Sequence, residues 1–161
     1  MAEQKLIKLK INEREVQVPQ GTLVIEATRR IGTEVPSFCY YPGLSLQAAC
    51  RMCLVEVEKA PKLQTACTLM ATEGMIVRTD TEQVRQARKY MLEFLLTNHP
   101  LDCPVCDKGG ECDLQDFSFY HGAGKSRFIE EKLKYPKPVP LSDKILLDME
   151  RCVLCERCVR Y

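Results

Sequence analysis

The chain has 161 residues, of which 45% are hydrophobic and 28% charged, and its formal net charge is +1. That composition is ordinary for a soluble globular protein, with room for one domain or for two to three very small ones. Without a basic or acidic block there is no electrostatic footprint for nucleic acid, and no apolar run approaches the ~20 residues of a membrane helix. The opening Met1-Ala2-Glu3-Gln4-Lys5 does not read as a signal peptide, so the chain is expected to stay in the compartment where it is made.

Ile7, Leu9 and Ile11 alternate with Lys8 and Lys10, which is strand periodicity. Asn12-Glu13-Arg14 reads as a turn into a second strand carrying Val16 and Val18. After Pro19-Gln20-Gly21, Thr22 is expected to cap a helix with Leu23, Glu26, Ala27 and Ile31, stopped by Gly32. A long loop from Pro36 to Arg51 carries Cys39 and Cys50, and further strands are expected at Leu54–Val57 and Met75–Val77. These elements predict a small α+β unit over residues 1–80. Thr79 and Glu82 match a capping box, and Val84, Ala87, Met91 and Leu95 form a helical stripe that Pro100 ends. Met70, Met75 and Met91 read as core filler. From His99 to Gly124 the chain is glycine-containing loop, so residues 81–124 are expected to form a second small unit of helix and loop. Pro136, Pro138 and Pro140 mark a semi-rigid linker over 125–142, and a short strand at Ile145–Asp148 begins a last segment, 143–161.

Ten cysteines without an export signal point to metal rather than disulfides, which a reducing cytosol seldom preserves. The first group is Cys39, Cys50, Cys53 and Cys67, spaced C-x10-C-x2-C-x13-C. Four thiolates suit a 2Fe–2S cluster, two per iron, and the small residues Gly43, Ser45, Ala48 and Ala49 let backbone N–H groups approach the cluster sulfides. Arg51 places positive charge close to it. A zinc site usually carries two C-x2-C knuckles, and this group has one. The second group, His99, Cys103, Cys106 and Cys112, suits either a three-cysteine, one-histidine zinc site or a 4Fe–4S cluster in which imidazole replaces one thiolate. Gly109 and Gly110 allow a tight wrap between its cysteines. The third group, Cys152, Cys155 and Cys158, opens like a ferredoxin 4Fe–4S run and lacks a fourth ligand before Tyr161. That predicts a piece of a longer polypeptide, with a third cluster left incomplete in this chain. His121 reads as a surface or packing residue. No acid–base pair, nucleophile or phosphate loop stands out, and no residue is expected to be catalytic; Glu111 and Asp113 read as tuning or solubility residues.

These groups in this order resemble the large iron–sulfur subunit of NADH:quinone oxidoreductase, respiratory complex I, at its N-terminal end. The stretch Asn98-His99-Pro100-Leu101-Asp102-Cys103-Pro104-Val105-Cys106-Asp107-Lys108-Gly109-Gly110-Glu111-Cys112-Asp113-Leu114-Gln115-Asp116 carries most of the resemblance. Pro36-Ser37-Phe38-Cys39-Tyr40 and Cys50-Arg51-Met52-Cys53 are similar to the family's first cluster loop. The resemblance implies a β-grasp 2Fe–2S ferredoxin-like domain, a small His-Cys 4Fe–4S domain and the start of a 4Fe–4S ferredoxin-like domain. It implies 2Fe–2S on Cys39, Cys50, Cys53 and Cys67, 4Fe–4S on His99, Cys103, Cys106 and Cys112, and three ligands of a further 4Fe–4S from Cys152, Cys155 and Cys158. The implied role is a non-catalytic relay of single electrons from the flavin of the NADH-binding subunit toward quinone. Its partners would be that flavin-containing subunit and other peripheral-arm subunits, on the cytoplasmic face of the inner (cell) membrane, touching lipid only through the complex. Two other readings remain at this point: the electron-input segment of a cytoplasmic NAD-linked hydrogenase or formate dehydrogenase, and a zinc-stapled interaction module without redox function.

Overall fold

A computed structural model describes residues 5–161; the signal-peptide reading at Met1-Ala2-Glu3-Gln4 lies outside the described residues. The chain forms two compact units, one running to Arg88 and taking in Glu156–Tyr161, the other Lys89–Cys155.

The first unit starts with a hairpin, β1 (Leu6–Ile11) and β2 (Arg14–Pro19). Alternation buries Ile7, Leu9 and Ile11 on one face, and the antiparallel register sets Ile7 opposite Val18 and Leu9 opposite Val16. Asn12 and Glu13 both take positive φ, 47° and 68°, the geometry of a two-residue turn that matches the strand twist. Helix α1 (Val24–Arg30) follows and contributes Val24, Ile25 and Ala27 to the core. Strands β3 (Leu54–Val57), β4 (Gln64–Thr65) and β5 (Ile76–Arg78) complete a sheet of order β2-β1-β5-β3-β4, in which β1 and β5 are parallel and the other pairs antiparallel. Cys53 and Cys67 belong to this core, alongside Val55, Ala66 and Val77.

Two expected caps are corrected. Thr22 does not cap α1: its hydroxyl donates to Pro19 O at 2.7 Å, and Leu23 takes the cap position with its backbone bridged to Met70. Thr79 does not cap the next helix, α2 (Glu82–Asn98), because it is buried and bonded to Asn12. Thr81 caps instead, its hydroxyl accepting the Val84 N–H at 3.3 Å. Met70 is 59% exposed and fills no core, whereas Met75 does pack against it.

Helix α2 begins in the first unit and continues into the second. Its buried positions are Val84, Arg88 and Leu92, while Ala87, Met91 and Leu95 are half-buried, so the covered stripe is centred one residue from the expected one and includes a cation. In the second unit a single 3₁₀ turn, Cys103–Val105, is followed by helix α3 (Asp113–His121), where the sequence predicts loop. Nine residues between glycine-rich stretches, with only Leu114 buried, give no apolar stripe to read; Asp113 and Asp116 favour the start of α3 through its dipole. His121, in the last turn, stacks tilted on Phe117 at 6.3 Å. The expected linker pairs β6 (Val139–Pro140) with β7 (Leu146–Leu147) as a small exposed hairpin. Lys137 Nζ lies 2.8 Å from Asp102 and 2.5 Å from Glu150, and Arg151 lies 3.3 Å from the same Asp102 oxygen. This charge network fastens the 137–151 segment to the residue before Cys103.

Candidate metal centres

The first cysteine group converges. Cys39, Cys53 and Cys67 are buried and Cys50 is half-buried. The thiol of Cys39 interacts with those of Cys50 and Cys67, and the thiol of Cys67 also interacts with that of Cys53. The sulfurs therefore form a chain of contacts, Cys50–Cys39–Cys67–Cys53, rather than closing round one point. Crowding splits their acidities. Accepting these S–H groups draws Cys39 and Cys53 below the ordinary thiol value, and donating them drives Cys50 and Cys67 above it. Four anionic sulfurs cannot share this volume without added positive charge.

Backbone amides already favour the anionic sulfurs. Those of Ala49 and Cys50 act on Cys39, those of Cys39 and Met52 on Cys50, and those of Cys67 and Cys53 on Cys53. The loop achieves this by placing Ala48 and Arg51 at positive φ, 57° and 56°, which turns successive amides inward. The loop is braced from α1: Tyr40 donates its hydroxyl to Glu26 Oε1 at 2.6 Å, and Arg29 lies 2.8 Å from the same oxygen. Burial and then Glu26 push the Tyr40 hydroxyl up to about 12, so it stays a donor. From the C-terminal segment, Arg157 donates to Tyr40 O at 2.9 Å and Arg160 donates to Cys39 O and Ser45 O.

In the second unit His99, Cys103, Cys106 and Cys112 line one cavity of about 220 Å³, walled by Leu96, Pro100, Leu114 and Phe119. Gly109 belongs to its wall by necessity, because a Cβ there would lie 2.9 Å from Cys103 O and 3.0 Å from Cys106 O. Gly110 takes φ +87° and completes the wrap. Burial and then Lys132 hold the His99 imidazole below its usual value, which keeps it neutral and able to donate a lone pair. Of the third group, Cys152 and Cys155 lie in the second unit and Cys158 in the first.

Two cations near the cysteines go unread in the sequence. Arg88 is 3% exposed and bonds the carbonyls of Met52 and Leu54, on either side of Cys53. Arg151 lines the second cavity. Arg88 stands on a helix where a lone cation reads as solvent-facing, and only burial distinguishes it. Arg51, the cation the sequence does single out, is exposed.

The donor chemistry fits iron–sulfur clusters: a largely buried set of thiols with backbone amides beside it, and a thiol–imidazole set around a mostly apolar cavity whose wall needs glycine at Gly109. Comparison with known proteins agrees. Residues 4–82 match the 2Fe-2S iron-sulfur cluster binding domain, and residues 88–127 match the NADH-ubiquinone oxidoreductase-G iron-sulfur binding region. This is thus an iron–sulfur protein of mixed α/β small domains that binds a 2Fe–2S and a 4Fe–4S cluster. The G subunit of the NADH-quinone oxidoreductase of Streptomyces coelicolor is 51% identical over 97% of this chain, and the G subunit of the Rickettsia bellii enzyme 48% identical over 97%. Over nearly its whole length the chain is similar to part of these G subunits. It spans 19% and 23% of the length of those two relatives. Among solved structures, an NAD+-reducing [NiFe]-hydrogenase matches with a TM-score of 0.84 and 28% identity, over 96% of this chain and 64% of that one.

Proposed function

We propose that the chain relays single electrons within an NADH:quinone oxidoreductase, as a non-catalytic iron–sulfur segment between the flavin of an NADH-oxidising subunit and quinone. The reading rests above all on the sulfur chain Cys50–Cys39–Cys67–Cys53 with amides turned toward it. Two pairs joined in the middle suit two irons with two thiolates each, so these four residues hold the 2Fe–2S cluster in a β-grasp domain. His99, Cys103, Cys106 and Cys112 hold the 4Fe–4S cluster, with imidazole in place of one thiolate. Cys152, Cys155 and Cys158 supply three ligands of a further 4Fe–4S cluster.

When bound, the clusters supply one-electron redox chemistry; the polypeptide supplies position, dryness and charge. Cys53 and Cys67 sit in the hydrophobic core, which excludes water from one side of the first site. Backbone N–H groups stabilise negative charge on its sulfurs, and Leu96 and Leu114 line the second site with apolar surface. Exposed Phe94, Phe119 and Tyr120 in the second unit, 74%, 86% and 81% accessible, support membership of a larger assembly with the flavoprotein and other peripheral-arm subunits. No helix among the described residues is long and apolar enough to cross a membrane. As part of the complex, the chain would lie peripherally on the cytoplasmic side of the cell membrane.

Anaerobic iron and sulfide analysis with electron paramagnetic resonance of the reduced protein is the test. Signals of one 2Fe–2S and at least one 4Fe–4S centre are expected. A colourless protein carrying zinc would refute the reading and favour the zinc-stapled module. The hydrogenase likeness supports a second reading, electron input to a hydrogenase. Association with the flavoprotein subunit of the quinone-linked complex is expected; failure to associate would favour the second reading.

A further inference from the structure

Arg88 is a buried cation that no carboxylate neutralises by direct contact among the described residues. The nearest acidic influence is Asp80, whose own ion pair, at 3.7 Å, goes to Arg85. Burying a guanidinium without an anion is costly, so such a residue marks a place where negative charge is expected. Its bonds say where. Nε donates to Met52 O at 3.3 Å and Nη2 donates to Leu54 O at 3.2 Å, so the planar fork straddles Cys53 from both flanking peptides. Cys53 itself is fully buried and feels no bulk water that would screen the charge. Burial lowers the Arg88 guanidinium from its usual value, while Asp80 and the Cys53 thiolate pull it back up.

We propose that Arg88 is a positioning residue for the first cluster, holding the Cys53 peptide in place and supplying the fixed positive charge that raises that cluster's reduction potential. An added electron increases the negative charge beside a cation that can neither move away nor lose its proton, so the reduced state gains more than the oxidised one. The inference rests on the assignment of Cys39, Cys50, Cys53 and Cys67 to the 2Fe–2S cluster. The parent protein's own 2Fe–2S resonance checks that assignment before any variant is compared, so the two failures are separable.

The experiment is a redox titration of the 2Fe–2S signal in the full chain with Arg88→Gln and Arg88→Lys, together with iron content and g values. Arg88→Gln is expected to shift the midpoint downward by about tenfold in the reduction equilibrium constant, about 59 mV for one electron. Arg88→Lys keeps the charge and is expected to retain most of the potential, with altered g values because one ammonium cannot reproduce the fork. The 4Fe–4S potential is expected to stay put in both. Equal midpoints in parent and Arg88→Gln overturn the proposal, as does an Arg88→Lys shift as large as that of Arg88→Gln. Loss of the 2Fe–2S cluster from both variants makes Arg88 a scaffold only and overturns it too.

Discussion

Asn12 and Thr79, 67 positions apart, bond each other twice: Asn12 Nδ2 donates to Thr79 Oγ1 at 2.6 Å, and the Thr79 N–H donates to Asn12 Oδ1 at 2.8 Å. The pair ties the tip of the β1–β2 hairpin to the end of β5, across the one parallel pairing in the sheet. Thr79 is buried, so its N–H and hydroxyl have little water to fall back on if Asn12 is lost.

Replacing Asn12 should therefore cost more than an ordinary turn substitution. Asn12→Ala removes two hydrogen bonds at ~1 kcal/mol each and forces alanine to a φ of 47°, for a loss of about 2–3 kcal/mol. Asn12→Gly relieves the backbone and keeps only the hydrogen-bond loss, about 2 kcal/mol. Urea unfolding of the iron-free protein reads both. Equal stability of parent and Asn12→Ala would show the pair to be incidental.

The same pair explains part of what sequence reasoning misassigns. Thr79 and Glu82 have capping-box spacing, and nothing local reveals that a residue 67 positions earlier claims the threonine. The two first strands, the Asn12 turn, α1, β3 and β5 are legible because alternation and turn chemistry act over a few residues. Strand β4, two residues long, exists only through its pairing with β3, and α3 carries no stripe. The cysteine groups are legible because ligand spacing is itself local; the cations that face them are not, since Arg88 meets Cys53 only after the chain folds.

Removing iron should affect the two units differently. The first owns a core of Ile7, Leu9, Ile11, Val18, Val24, Ile25, Val55 and Val77 that needs no metal to bury itself. Between His99 and His121 only Pro100 and Leu114 are buried, too little apolar surface to offset chain entropy. Amide hydrogen exchange before and after anaerobic chelation is expected to show lost protection from Cys103 to His121 and retained protection in β1, β2 and β5. Equal protection of the second cysteine segment in both states would show that packing alone orders it.

Acid should loosen the hairpin tip through one ion pair. Lys10 Nζ lies 2.6 Å from Glu13 Oε2, and that bond, followed by the lysine's charge, holds the Glu13 carboxyl below its usual 4.5. A carboxyl with a depressed folded value stabilises the fold above the unfolded value and loses that contribution as pH falls through the folded one. The support is therefore complete at neutral pH and fades below about pH 4.5. Both side chains are exposed, so salt weakens the pair and its effect on global stability is small. Carboxyl NMR titration of the iron-free protein is expected to place the Glu13 midpoint below that of an unpaired glutamate, and Lys10→Gln should return it to the ordinary range. A midpoint that ignores both the substitution and added salt would mean that the contact does not persist in solution.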